Sequence, residues 1–253
     1  MRALAIVAAL LAVTGTANAA EINAFISTAI KTVTDELLPP FERTSGYAIR
    51  AAYGPSGALI PRFERGEPTD ILLTDSVAID ALIKEGKIAG ARTDLARTGI
   101  GIAVRKGAPK PDVSTAEAFK HTLLAAKTIA YASPAGGSIT GPHIERMFAQ
   151  LGIAEQMAAK AKLAAGGPNG RVSVLVSSGE AEIGLQQLSE LMSNPDVDVV
   201  GLLPADLQQT TLYSAAIPVS AKEAEAAAAL IKVLIAPSAA PIYKAKGLEP
   251  LRR

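Results

Sequence analysis

Small polar residues occur at four places where a predicted strand gives way to a predicted helix. These places are Ser27 with Thr28, Ser56 with Gly57, Ser138 to Gly141, and Asn169 to Arg171. In open α/β sheets, ligands bind where strands end and helices begin, and the free N–H groups of a helix N-terminus attract anions. Glycine lets the backbone approach a ligand, and hydroxyl groups donate hydrogen bonds without adding charge. We therefore expect the four junctions to converge on one small anion.

The residues of these junctions also have ordinary structural explanations. Serine and threonine cap helices, and glycine is common in turns. Their occurrence at four strand-to-helix junctions favours the binding interpretation. The residues that we expect to bind the ligand there are Ser27, Thr28, Ser56, Gly57, Thr140, Gly141, Gly170 and Arg171.

Arginine and glutamine side chains extend the chemistry available to this site. The planar guanidinium of Arg171 suits a carboxylate, unless it forms a salt bridge with Glu180 or Glu182. Gln187, with Gln186 beside it, ends a predicted strand. Its amide would donate hydrogen bonds to a polyoxygenated ligand, and the alternative is a polar position that faces solvent.

His143 lies in the first turn of a helix predicted to begin near Thr140. The helix dipole disfavours a charged imidazole at that end. His143 would be the catalytic base if the protein is an enzyme, and a surface histidine without a catalytic role is the alternative.

The composition excludes several classes of site. The chain has 25 Lys and Arg residues against 24 Asp and Glu residues, so it lacks the basic surface that nucleic-acid binding needs. It has no cysteine and only two histidines, which argues against disulfides, lipid attachment and a metal centre. We expect no cofactor, no metal and no nucleic-acid partner.

The first 19 residues have the order of a secretory signal peptide. Arg2 precedes an apolar run from Ala3 to Val13, and Ala17-Asn18-Ala19 fits the small-x-small rule for cleavage. The run is shorter than the roughly 20 residues that span a bilayer. We expect cleavage after Ala19 and a freely diffusing protein in the periplasm.

Strand and helix patterns alternate along the rest of the chain, with a break near residues 93–97. This alternation predicts an α/β fold with a mostly parallel sheet and helices on both faces. The predicted strands are 21–27, 48–53, 70–74, 99–104, 128–132, 182–187, 197–203 and 212–218. The predicted helices are 28–41, 58–65, 76–84, 115–127, 140–151, 171–178, 221–235 and 238–246.

The chain resembles the molybdate-binding periplasmic proteins of ABC transporters, which have the type II periplasmic binding protein fold. Residues 25–41, 53–71 with Gly66-Glu67-Pro68-Thr69-Asp70, and 170–184 carry the resemblance. It implies two lobes that close by a hinge, each a mostly parallel sheet flanked by helices. We place lobe I at 20–97 and 213–253, and lobe II at 98–212.

The resemblance also implies particular ligand contacts. They fall at Ala29, Ser56, near Thr140, near Gly170, and at Gln187. Ser56 matches a serine of the family, whereas Ala29 stands in place of a serine and Gln187 in place of a tyrosine. These two departures argue against molybdate, and together with Arg171 they favour a di- or tricarboxylate over another oxyanion.

Two functions follow from these features. The first is a monomeric solute-binding protein that captures a small anion between two lobes and delivers it to the membrane subunits of an ABC importer. The second is an enzyme on the same fold, because aconitate isomerase also resembles this family. It would move a double bond by removing a proton and returning it elsewhere.

Overall fold

The computed structural model describes residues 20–165 and 171–251. The predicted signal peptide with Ala19 and the predicted ligand residue Gly170 lie outside these described residues.

The described chain contains strands and helices in alternation, as the α/β prediction requires. The strands are β1 (Glu21–Ser27), β2 (Ala48–Gly54), β3 (Ile71–Asp75), β4 (Thr93–Arg105), β5 (Ile129–Ala132), β6 (Ala161–Ala164), β7 (Ile183–Gln187), β8 (Val197–Leu202), β9 (Thr210–Ala216) and β10 (Glu249–Pro250). The α-helices are α1 (Lys31–Ser45), α2 (Ser56–Glu64), α3 (Ser76–Lys84), α4 (Ala116–Ala125), α5 (Gly141–Gln150), α6 (Ala154–Lys160), α7 (Val172–Ser177), α8 (Leu188–Leu191), α9 (Ala224–Leu234) and α10 (Ala240–Ala245).

Two sheets form the framework, and each contains three neighbouring parallel strands. In the first sheet the strand order is β2-β1-β3-β9-β4, with β10 also paired to β4. In the second the order is β6-β5-β7-β4, with β8 also paired to β4. The strands β9 and β7 run antiparallel to β4. This two-sheet α/β arrangement agrees with the fold expected from the resemblance, with antiparallel strands added beside the parallel ones.

Strand β4 belongs to both sheets. Its first part, up to Gly99, pairs with β9, and from Ile100 onward it pairs with β7 and β8. The side chain of Gln208 binds both the N–H and the carbonyl oxygen of Ile100, at 2.8 and 3.0 Å. The lobe limits at 97/98 and 212/213 stay a prediction, but the chain passes from one sheet to the other within this strand.

The predicted break at residues 93–97 is wrong, because β4 is continuous there. Tertiary contacts satisfy the polar residues of this stretch, so the strand does not end there. Asp94 accepts a hydrogen bond from Ser214 of β9 at 2.7 Å, and Arg97 forms an ion pair with Glu249 of β10. The sequence analysis also missed the short elements α6, β6 and α8, which are too brief to show a clear period.

Each sheet is covered by apolar side chains from the helices that follow its strands. Strand β3 is buried throughout, as its apolar composition indicated. Helices α1, α9 and α10 pack on one face of the first sheet, with Val33, Leu230 and Tyr243 in their common core. Among the described residues no single helix has the length and composition of a membrane span. Helix α9 and the segment Pro237–Ala245 have that length and composition only when they are taken together, and the two are bent by 58° relative to each other.

Asp70, the last residue of the Gly-x-Pro-x-Asp stretch, joins two distant parts of the first sheet. Its carboxylate accepts hydrogen bonds from the backbone and side-chain nitrogens of Asn23 in β1, at 2.8 and 3.1 Å. It also accepts the N–H groups of Lys222 and Glu223 just before α9, at 2.8 and 3.1 Å. Burial by itself raises the pKa of Asp70, but these hydrogen bonds outweigh it and hold the pKa below its usual value.

Two glycine loops touch across the space between the sheets. The N–H of Gly57, in the first turn of α2, donates to the carbonyl oxygen of Gly137 at 3.2 Å. A Cβ atom on Gly57 would lie 2.7 Å from that oxygen and 2.9 Å from the Gly137 Cα. Both neighbours are backbone atoms, so they cannot move aside as a flexible side chain would. This contact requires glycine for the arrangement seen here.

We expect Asp70→Ala to lower the free energy of unfolding by at least about 3 kcal/mol, because four donors lose their acceptor and each buried unpaired donor costs about 1–3 kcal/mol. The lowered pKa sets the pH dependence. The stabilisation is complete above the pKa of an unfolded aspartate, about 3.9, and is lost as the pH falls through the lower folded-state value. Denaturant unfolding at neutral and acid pH measures both effects.

Asp35→Asn, which removes only an exposed ion pair with Lys31, should change stability by less than about 1 kcal/mol. Equal effects of the two substitutions would contradict this assignment.

We expect Gly57→Ala to prevent the two glycine loops from meeting while leaving the fold intact. The native chain contains no cysteine, so spin labels on Lys84→Cys and Lys162→Cys would report the distance between the sheets in the presence of ligand. That distance should be longer in Gly57→Ala. The matched control is Gly201→Ala, whose Cβ would meet Val113 at an ordinary 3.8 Å. An unchanged distance in Gly57→Ala would show that the contact does not define the closed form.

Candidate ligand-binding site

A cavity of about 460 Å³ lies between the two sheets. The first sheet contributes the end of β1, the start of α2 and Tyr213 of β9. The second contributes the segments before α5 and α7 and the end of β7 with α8. The polar residues on its wall are Ser27, Thr28, Lys31, Thr32, Tyr53, Ser56, Arg62, Ser133, Ser138, Thr140, Arg171, Gln186, Gln187, Glu190, Ser193 and Tyr213.

The structure brings together six of the predicted ligand residues in this one cavity. They come from five separate segments, which meet because parallel strands present their carboxyl ends to the same side of a sheet. These residues are Ser27, Thr28, Ser56, Thr140, Arg171 and Gln187. Ala29, where the resemblance placed a contact, also lies on the wall.

The hydroxyl groups of the wall are held in place by neighbouring protein groups. The Ser56 hydroxyl accepts a hydrogen bond from the Thr74 hydroxyl and lies 3.5 Å from the backbone N of Asp75. Because the Ser56 oxygen accepts the hydrogen bond from Thr74, the hydrogen of the Ser56 hydroxyl is available to a ligand. The hydroxyls of Ser138 and Thr140 are 3.1 Å apart. The wall is therefore ordered and rich in neutral donors.

Three predicted site residues have other partners. The N–H of Gly57 is bonded to Gly137, as described above, and the N–H of Gly141 donates to the Ser138 hydroxyl at 3.0 Å. The ring of His143 donates from Nε2 to the carbonyl oxygen of Leu207 at 2.8 Å. None of these three residues is on the cavity wall. Their roles in binding and catalysis have no support from the positions they occupy here.

Arg171 differs from the other two cations on the wall. Lys31 forms an ion pair with Asp35, and Arg62 forms one with Glu67. Glu180 and Glu182, the alternative partners considered for Arg171, bind Ser178 and the N–H of Lys127 instead. Within residues 20–165 and 171–251, Arg171 forms no direct salt bridge, so its guanidinium remains available to a ligand anion.

Two buried glutamines on the wall have unpartnered oxygens. Gln187 donates from Nε2 to the Thr211 hydroxyl at 2.9 Å, but its Oε1 has no partner within the described chain, and neither does the Oε1 of Gln186. The side chains are 1% and 7% exposed, respectively. A buried polar atom without a partner is costly, and a bound ligand with a hydroxyl or protonated carboxyl group would satisfy it.

Glu190 was not identified from the sequence. It lies in α8, one turn beyond the end of β7, and faces the cavity. Burial raises its pKa, while the Thr28 hydroxyl, the Gln186 amide and the positive charge of Arg171 lower it by less. The net result is a carboxyl group with a raised pKa beside the ligand space. Its position just after an apolar strand is the signal that could have indicated it.

Tyr213 was also missed, since it lies in the middle of a strand and not at a strand end. Its side chain is buried and lines the cavity. Burial raises the pKa of Tyr213 well above its ordinary value, and the carboxylates of Glu190 and Asp75 raise it further. The phenol therefore stays protonated and acts as a hydrogen-bond donor.

No group of three or more Asp, Glu or His side chains in the described parts of the chain could hold a metal ion. The cavity wall offers hydroxyls, amides and the guanidinium of Arg171, which has no direct salt bridge within the described chain. This donor set fits a small organic or inorganic anion.

Comparisons with known proteins agree with this description. Residues 22–249 match the family model described as bacterial extracellular solute-binding protein. An aconitate isomerase of a Pseudomonas species is 38% identical over 223 residues, which cover 85% of this chain and 82% of that protein. The molybdate-binding protein ModA of Azotobacter vinelandii is 29% identical over 241 residues, covering 91% and 90% of the two chains.

The fold is shared with solved structures. The periplasmic molybdate-binding protein of Azotobacter vinelandii superposes with a TM-score of 0.74 at 19% identity, covering 92% of this chain and all of that one. The sulfate-binding protein SubI of Mycobacterium tuberculosis gives 0.71 at 15% identity, covering 92% and 87%. The match over residues 22–249 and the likeness in fold show that the chain belongs to the bacterial extracellular solute-binding proteins, in a group related to the molybdate-binding proteins.

Proposed function

We propose that this protein binds a di- or tricarboxylate in the cavity and interconverts isomers of aconitate there. The observation that carries the proposal is Arg171, which lies on the wall without a direct salt bridge among the described residues, whereas Lys31 and Arg62 are paired with Asp35 and Glu67. A guanidinium binds a carboxylate through two parallel, charge-assisted hydrogen bonds. Neutral hydroxyls and backbone donors would hold the remaining carboxylate oxygens.

The size of the cavity also favours an organic acid. A volume of about 460 Å³ lies in the range of pockets that enclose small organic molecules. A single tetrahedral oxyanion would leave much of this space to water. The unpartnered oxygens of Gln186 and Gln187 require donors, and a fully ionised tetrahedral anion has none to offer. A hydroxy acid such as citrate, or a polycarboxylic acid bound with one carboxyl group protonated, would supply them.

The relative with 38% identity supports the choice of aconitate among such acids. Isomerisation of aconitate moves a double bond between two carbon atoms and needs no redox cofactor. It requires a base that removes a proton, a source that returns it, and donors for the charge that develops on a carboxylate. Arg171, the Tyr213 phenol and the hydroxyl of Ser56 are the donors available here.

Transport is the second candidate, and the fold and the molybdate-binding relative favour it. In that case the lobes would close on a carboxylate and present it to the permease subunits of an ABC importer. Both functions fit a monomeric protein exported to the periplasm after cleavage at Ala19. Turnover separates them, because a receptor returns its ligand unchanged.

The binding step is tested by thermal denaturation with aconitate, citrate, molybdate and sulfate at equal concentration. An acid present at about 100 times its dissociation constant adds roughly 2.7 kcal/mol of stability, and we expect trans-aconitate to give a larger shift than molybdate. Arg171→Met should abolish this shift while leaving the melting temperature of the free protein unchanged. Arg146→Met, at an exposed position of α5, should retain it. A larger molybdate shift that survives Arg171→Met would contradict carboxylate binding.

The catalytic step is tested by incubating purified protein with trans-aconitate and following cis-aconitate by chromatography and proton NMR. We expect conversion toward an equilibrium mixture from either isomer, at a rate proportional to protein concentration. Binding of trans-aconitate without conversion would instead assign the protein to transport.

A further inference from the structure

We propose that Glu190 is the catalytic residue that removes and returns the proton in this cavity. This inference rests on the isomerase activity proposed above. It replaces His143, whose ring is bonded to Leu207 away from the cavity wall.

The position of Glu190 is set by the strand that precedes it. Strand β7 ends with the two buried glutamines, and the chain turns at once into α8. This short helix packs against the turn Thr28–Ile30 of the first sheet as well as against β4, β7 and β8. Glu190 is thereby brought to the boundary of the two lobes, on the wall of the ligand space.

The groups around the Glu190 carboxyl change its pKa. The Thr28 hydroxyl, the Gln186 amide and the positive charge of Arg171 each favour the ionised form of Glu190 and so lower its pKa. The other titratable group that interacts with it is the Tyr213 phenol. Burial dominates over the partners and raises the pKa of Glu190. A carboxylate is a stronger base when its pKa moves toward the working pH.

A site built only to bind an anion gains nothing from this side chain. An ionised carboxylate beside a bound polycarboxylate repels it, and glutamine would fill the same space and donate hydrogen bonds. Proton transfer gives the carboxyl group a use, because an abstracting base must lie beside the substrate. Glu190 is the carboxylate on the cavity wall among the described residues.

The proposed step balances in protons and electrons. The ionised Glu190 takes a proton from the methylene carbon of trans-aconitate. The electron pair of that C–H bond forms a new carbon–carbon double bond, and the pair of the original double bond shifts toward the carboxylate conjugated with it. Arg171 and the hydroxyl donors stabilise this charge. The protonated Glu190 then returns the proton to the carbon at the far end of the original double bond, which restores the carboxylate and gives the isomer.

The test is Glu190→Gln, which keeps the size and polarity of the side chain but cannot transfer a proton. We expect kcat to fall by about 10²- to 10⁴-fold, the usual contribution of a general acid–base group. The thermal shift by trans-aconitate should be retained, since repulsion is removed and Arg171 is intact. Glu180→Gln, at an exposed turn of the same lobe, is the matched control and should keep the wild-type rate.

A pH profile provides the readout that a structural role would not give. In wild type, kcat/KM should fall as the pH drops through the raised pKa of Glu190, because the base becomes protonated. Glu190→Asp keeps a carboxyl group but places it farther from the ligand because the side chain is shorter. This variant should therefore retain part of the rate and shift the pH at which kcat/KM falls on the acid side. If circular dichroism shows that Glu190→Gln does not fold, the rate and pH profile of Glu190→Asp still test the proposal.

The outcomes distinguish the two levels of the proposal. If wild type converts trans-aconitate and a folded Glu190→Gln does so within tenfold of its rate, Glu190 is not the base and the isomerase function stands. If His143→Ala loses turnover while Glu190→Gln retains it, the assignment reverses. If wild type binds trans-aconitate but does not convert it, the isomerase function fails, and the role of Glu190 fails with it.

Discussion

An anion enclosed between two lobes loses its water, and the protein must replace every hydrogen bond that the water made. This constraint explains why the wall of the cavity combines hydroxyls, buried amides and the guanidinium of Arg171, which forms no direct salt bridge with the part of the chain that the structure describes. The hydroxyls of Ser27, Ser56 and Thr140 are oriented by the N–H of Ala29, the hydroxyl of Thr74 and the hydroxyl of Ser138, respectively. Preorganisation of this kind lowers the cost of ordering the site when the ligand binds.

The pairing of charges in and around the cavity determines which anion can be satisfied. Lys31 and Arg62 are neutralised locally by Asp35 and Glu67, so neither supplies free charge. Arg171 supplies positive charge from one side of the cavity. The charge is therefore directed at one end of a ligand, which suits an elongated polycarboxylate better than a symmetric tetrahedral ion.

Members of one fold family can bind, transport or transform a ligand, because function depends on a few residues grafted on a common framework. Here the framework consists of two sheets linked through β4, with Asp70 joining β1 to the start of α9. The residues that would turn a binding site into a catalytic one are on the wall. A carboxyl group of raised pKa, Glu190, and a protonated phenol, Tyr213, provide a base and a donor within one enclosed space.

Much of the fold could be predicted from the sequence because its causes are local. Strand β1 and helix α3 have the limits that the apolar pattern predicted. Gly46 ends α1 in the left-handed conformation expected past a helix. The junction residues could be identified because strand-to-helix turns impose their own chemistry, and five of them do meet in one cavity with Gln187.

The tertiary structure decided which distant residues join them. The packing of α8 on the turn Thr28–Ile30, the position of Tyr213 on the same cavity wall as Ser27, and the meeting of Gly57 with Gly137 all link segments far apart in the chain. The continuity of β4 likewise depends on Ser214 and Glu249, which satisfy its polar residues. Local propensity carries no information about such partners, since strand order and the packing of the two sheets bring them together. The sequence by itself therefore determined the alternating elements and the anion-suited junctions, and only the folded arrangement placed the carboxyl group of Glu190 among them.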